Sequence, residues 1–210
     1  MVRLRRLRDF GTSPRQALFF PSDDPVGSLL AAFGVFAIGY IARPLGGILL
    51  GHIGDRFGRK RALILSVMMM GVCTTLIGVL PTHAEIGTSA ALLLVGLRIL
   101  QGLSVGGEYP GSIVFLAEHA PHKQRGFYTS WPMFGSAAGF LLGSALTTLI
   151  TNVIGEAAVE VWGWRVPFLL GAVIAICGVY FRRHMSEPPA FEEARPLDEL
   201  PLFAAVKHHW

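Results

Sequence analysis

Gly51-His52-Ile53-Gly54-Asp55-Arg56-Phe57-Gly58-Arg59-Lys60 is a charged, glycine-bearing stretch wedged between two long apolar runs. One run extends from about Val26 to Leu50, the other from Ala62 to Leu80. Each is long enough to cross a hydrocarbon core of roughly 30 Å, which takes about 20 apolar residues in a helix. Glycines between two such runs permit a tight turn. Asp55 can accept hydrogen bonds from a helix N-terminus or pair with an arginine. Arg56, Arg59 and Lys60 can meet anionic headgroups or acidic loop residues. The pattern therefore predicts a hairpin of two membrane-spanning helices whose charged bend, Gly51 to Lys60, lies in the cytoplasm.

Three more apolar runs follow, from Ala90 to Leu116, Phe127 to Ile154 and Trp164 to Phe181. Helices are the expected form, because an open sheet leaves its backbone unsatisfied in lipid. The predicted class is an all-α membrane protein with about five transmembrane helices. Its organisation reads as a basic N-terminal segment and loop over 1–25, a helical bundle over 26–181 and a cytoplasmic tail over 182–210. Composition agrees: 52% of the 210 residues are hydrophobic, only 15% are charged, and mean hydropathy is +0.51. Soluble domains carry about 25% charged residues, so lipid is the expected solvent. The formal charge of +4 resides at the ends of the runs, which argues for membrane topology and against nucleic acid as a partner.

The connections alternate in charge. Pro81 to Thr88 holds Glu85 and no Lys or Arg, the next holds Lys123 and Arg125, and the next holds Glu156 and Glu160. The tail opens with Arg182-Arg183. The positive-inside rule puts the Gly51–Lys60, Lys123–Arg125 and Arg182–Arg183 ends in the cytoplasm. Met1 to Gln16 disagrees: it carries five arginines, yet five helices place it outside. Either the rule is violated there or a helix is missing. No apolar h-region follows those arginines, so a cleavable signal peptide is not expected.

Small residues recur at spacings of four in Gly102, Gly106, Gly107 and Gly111 and again in Gly135, Gly139 and Gly143, which predicts close helix–helix contact. Trp162 and Trp164 sit where an interfacial belt is expected. Cys73 and Cys177 lie inside apolar runs and form no disulfide framework or metal-ligand pattern. His208-His209 reads as surface histidines, and a short amphipathic piece is expected near Leu200 to Val206.

Arg43, Arg98 and Glu108 are ionised groups inside apolar runs. A charge at membrane depth costs about 2.5–3.5 kcal/mol on insertion scales, so it is expected to face a cavity or a partner. Arg98 is the most central, and Gln101, one turn on, adds a neutral hydrogen-bonding group on its side. Glu108 lies nearly three turns beyond Arg98, deeper toward the cytoplasm. It either titrates or pairs with Arg43 or a loop base. Arg43-Pro44 reads first as structural, the proline breaking the local hydrogen-bond ladder and the arginine snorkelling. Arg98, Gln101, Glu108 and Arg43 are the candidate proton-coupling or substrate-binding residues. No GxSxG, HExxH or paired intramembrane aspartates are present, so an enzyme is not expected.

Several stretches, in order, resemble the N-terminal half of a major facilitator superfamily transporter of the metabolite:proton symporter group. They are Phe19-Phe20-Pro21-Ser22, Arg43-Pro44-Leu45-Gly46-Gly47, Gly51 to Lys60, and Arg98-Ile99-Leu100-Gln101-Gly102. Gly106-Gly107-Glu108, Glu118-His119-Ala120-Pro121 with Arg125-Gly126, and Trp162 to Phe168 complete the set. The resemblance covers about residues 19–207. It implies a fold of two six-helix halves around a central cavity, with the helices here the second to sixth of the first half. Asp9-Phe10 resembles the remnant of an acidic-aromatic motif of the first helix. The chain thus resembles a fragment lacking one helix and the opposing half. The resemblance also implies that Arg98 lines the cavity and pairs with an acid on that first helix, whose protonation drives transport. Arginine itself stays charged. Glu118 and Arg125 are implied to exchange ion pairs with Asp55 and Arg59. Gly51, Asp55, Arg56, Gly58, Arg59, Lys60, Glu118 and Arg125 would then form a cytoplasmic gate.

The expected function is proton-coupled symport of small metabolites, organic acids or osmolytes, across a bacterial inner membrane. It needs no bound cofactor beyond the proton gradient. Expected partners are the bilayer, a small metabolite, and a C-terminal half or second copy. The rival expectation is a non-transporting truncated membrane protein or partner-binding remnant.

Overall fold

The computed structural model describes residues 19–20 and 25–185. The expectations placed on Met1 to Gln16, Asp9-Phe10, Pro21-Ser22, Leu200 to Val206 and His208-His209 lie outside the described residues. Five long helices carry the fold: α1 (Pro25–Phe57), α2 (Arg59–Val79), α4 (Thr88–His119), α5 (Arg125–Ile154) and α7 (Arg165–Arg183). All five are long and apolar enough to cross a membrane. Short helices α3 (His83–Ile86) and α6 (Glu156–Ala158) occupy two connections, and a π turn over Val159–Gly163 leads into α7. No strand occurs among the described residues.

The outside of the bundle is apolar because lipid is its solvent. Ile174 is 72% exposed and Val153 73%, values a water-soluble surface does not sustain over a whole helix. At 1.5 Å per residue the 33 residues of α1 span about 50 Å, so its end stands clear of the hydrocarbon.

That length corrects the reading of the charged stretch. Gly51 to Phe57 continues α1 as helix, and only Gly58 breaks it, with φ 113°. Its missing Cβ allows this value, and α2 starts at the next residue. Gly51 and Gly54 are helical, not turn residues. The hairpin therefore bends at a single residue.

α1 and α4 form the closest pair. Gly46 of α1 lies on the Leu103 carbonyl, and Gly102 and Gly106 of α4 lie on the carbonyls of Gly39 and Arg43, where any Cβ would collide. α2 packs on α7 through Gly71 against Ala175 and Gly78 against Phe168. The second glycine stripe does not behave as expected: Cβ atoms at Gly135, Gly139 and Gly143 would meet nothing within 4 Å. α5 contributes no buried residue.

The chain ends of consecutive helices alternate, so basic and acidic ends separate. At the acidic end a core of Phe19, Val35, Ile77, Leu80, Ala90, Leu94 and Trp164 closes the bundle. Trp164 belongs to this plug and not to an interfacial belt: it is 7% exposed and meets Phe19 edge-on at 5.7 Å. Trp162 is 51% exposed, as a belt residue would be. Nearby, Glu85 accepts the Thr82 backbone N–H at 2.7 Å and the Thr82 hydroxyl at 3.2 Å. Those hydrogen bonds hold its carboxyl below the usual glutamate range.

Candidate functional site

α4 positions the central charges. Arg98 lies in its first half, where α4 presses against α1: a Cβ at Gly39 would be 3.2 Å from the Arg98 carbonyl oxygen. One guanidinium NH of Arg98 donates to Gln101 Oε1 at 3.3 Å. Gln101 Nε2 then donates to Thr74 Oγ1 on α2 at 2.9 Å. The Phe36 ring of α1 sits 5.6 Å from the guanidinium carbon, within cation–π range. Arg98 lines a cavity of about 350 Å³, with Phe19, Leu94, Thr147, Trp164 and Phe168 on its walls. No carboxylate among the described residues pairs with Arg98. A fixed positive charge thus faces a cavity beside the acidic-end core, and among the described residues its side-chain hydrogen bond is to a neutral group.

Glu108 meets neither Arg43 nor a base of the α1–α2 bend. Its Oε1 accepts a hydrogen bond from Arg182 on α7 at 2.8 Å. Arg182 also donates to the Leu63 carbonyl of α2 at 2.8 Å, so one guanidinium ties α2, α4 and α7. Ser104 donates to the Ser66 carbonyl, a second polar tie between α4 and α2. Thr74, Ser66 and Ser104 carry no sequence signal as site residues. Arg182 stood in the sequence only as a topology marker.

Arg43 occupies a second place. Its guanidinium lies 3.7 Å above the Tyr40 ring, one turn back along α1. Side chains on a helix lean toward its N-terminus, which makes this stack available. Pro44 leaves α1 unbroken from Pro25 to Phe57.

At the basic end, Asp55 and Arg59 form an ion pair across the Gly58 break. Arg59 reaches on to Glu118 Oε1 at the end of α4 at 3.5 Å. This network joins α1, α2 and α4. Arg125 is not part of it: it is exposed at the start of α5 and makes no ion pair among the described residues. Arg56 is exposed and lies 5.7 Å over Phe57, while Lys60 is half-buried.

Five membrane-length helices, a cavity that carries one arginine and an ion-pair network at one end define a multi-pass membrane protein. The chain belongs to the Major Facilitator Superfamily, whose family profile matches residues 7–210. It is 42% identical over 176 residues to the proline/betaine transporter of Salmonella typhimurium, covering 84% of this chain and 35% of that protein. It is 41% identical over 196 residues to the shikimate transporter of Escherichia coli, covering 91% of this chain and 45% of that protein. The fold matches a partially occluded, inward-open form of the xylose transporter XylE from E. coli. There the TM-score is 0.73 at 21% identity, over 85% of this chain and 45% of that one. The chain thus spans less than half the length of these relatives.

Proposed function

We propose that these helices form one wall of a proton-coupled symport pathway for small carboxylate-bearing metabolites, organic acids or zwitterionic osmolytes, in a bacterial inner membrane. The observation that carries the reading is Arg98. It is a permanent cation within an apolar helix that faces a cavity, and among the described residues Gln101 is its side-chain hydrogen-bond partner. Such a group attracts an anion or holds an acid that cycles its proton, and either role couples charge to passage. The two relatives that are 41–42% identical are transporters of proline and betaine and of shikimate, compounds that each carry a carboxylate. The Asp55–Arg59–Glu118 network supplies the second part, a latch between helices at the basic end that two-state access requires. Gly58 at the bend and the neighbouring Gly51, Arg56 and Lys60 shape that end. A pathway at the midplane needs walls from two repeats, so an opposing half completes the cavity.

Liposomes holding this chain with an opposing six-helix half, under an inside-alkaline pH gradient, should accumulate proline, glycine betaine or shikimate. Arg98→Gln should abolish accumulation while leaving the protein inserted. Full gradient-driven uptake by Arg98→Gln would sink the assignment of Arg98. Uptake by the 210-residue chain alone, above empty vesicles, would show that a second copy serves as the opposing wall.

A further inference from the structure

A cavity of about 1000 Å³ opens between α1, α4 and α5, separate from the one that Arg98 lines. Tyr40, Arg43, Tyr109, Ser136 and Phe140 are on its walls. Arg43 is its cation. The Arg43 Nε is buried and makes no hydrogen bond among the described residues. A guanidinium carries five N–H donors, and a donor left without an acceptor away from water is costly. The carboxylates of the basic half are already engaged: Glu108 with Arg182, and Asp55 and Glu118 with Arg59. None of the described acids reaches Arg43. The Tyr40 ring lies 3.7 Å from the guanidinium carbon, and this cation–π contact holds the group on the cavity wall. A planar carboxylate matches that fork with two parallel hydrogen bonds. The hydroxyls of Tyr109 and Ser136 on the same walls suit the polar remainder of a small metabolite.

We propose that Arg43 on its Tyr40 shelf is a second carboxylate-binding position, nearer the basic end than Arg98. The packing of α4 on α1 sets their offset. Gly102 lies on Gly39 and Gly106 on Arg43, so Arg43 stands level with Gly106, eight residues beyond Arg98 on α4, about 12 Å at 1.5 Å per residue. A carboxylate moving between the two ends meets one guanidinium and then the other. The inference rests on the proposed handling of a carboxylate-bearing metabolite, and it adds a place where that group docks.

Arginine-selective modification with phenylglyoxal, read by peptide mass spectrometry on the whole chain in lipid nanodiscs, reports on Arg43 and Arg98 separately. Glycine betaine and shikimate are added in turn, with their methyl esters as controls. At least one of the two carboxylates should slow modification of Arg43 in proportion to occupancy, and its ester should not. Arg43→Gln should weaken binding of that compound about tenfold or more, the worth of one charge-assisted contact. Protection of Arg98 alone overturns the Arg43 position and leaves the role of Arg98 standing. Protection of Arg43 alone supports it and removes Arg98 from substrate contact. Equal protection by the ester, protection of neither residue, or an Arg43 that never reacts, overturns it.

Discussion

Among the charges inside the bundle, the Glu108–Arg182 pair has the plainest energetic consequence. Both side chains are partly covered, at 28% and 22% exposure, and the surroundings are apolar helices. Removing one partner strands the other in that setting, whereas removing both leaves only apolar surface. Glu108→Leu should therefore destabilise the bundle by about 1–3 kcal/mol, the cost of an unsatisfied polar group. Glu108→Leu combined with Arg182→Leu should recover much of that loss. Thermal unfolding in a mild detergent measures both. A double variant no more stable than Glu108→Leu alone would mean that the Arg182 hydrogen bond to the Leu63 carbonyl carries the effect.

At the scale of whole helices, glycine does two different things here. In α4, Gly102 and Gly106 let the α1 backbone approach until carbonyl oxygens occupy the space of a side chain. In α5, Gly139 has open space where a Cβ would stand. Gly106→Ala should thus force α1 and α4 apart and cost about 1–3 kcal/mol, as overpacking does. Gly139→Ala should be neutral or should stabilise by up to about 1 kcal/mol through helix propensity. Melting temperatures of the two variants, measured side by side, test the contrast. Equal losses would mean that α5 is packed as tightly as α4.

Seen as a whole, the molecule has a basic end with the Asp55–Arg59–Glu118 network and an acidic end closed by Trp164 and its aromatic neighbours. The basic end should face the cytoplasm. In a background with Cys73 and Cys177 replaced by Ser, Glu85→Cys should react with a membrane-impermeant maleimide from outside intact cells. Lys123→Cys should react only after permeabilisation. Both positions are exposed, so failure to label reflects sidedness and not burial. The reverse pattern would invert the orientation of all five helices.

The sequence by itself determined that the chain lies in lipid, that it is helical and that its polar ends alternate. Each of these depends on sums over one contiguous run: about 20 apolar residues make a span wherever it sits, and Lys and Arg counts orient it. Family membership was legible in the same way, from ordered local motifs such as Gly51 to Lys60. The partners of the charges were not. Glu108 and Arg182 are 74 residues apart, and Arg43, one of the partners offered for Glu108, lies on Tyr40 instead. In a soluble helix an amphipathic stripe reveals the buried face. Here lipid-facing and protein-facing sides are both apolar, so outside the few charged or glycine-bearing positions little in the sequence reports how each helix is rotated about its axis. The rotation comes from which backbones can approach, such as Gly106 on Arg43 and Gly71 on Ala175, and only the packed bundle decides that. The same packing put Trp164 in the core, engaged the α4 glycines and left those of α5 open, although the two glycine series share one spacing.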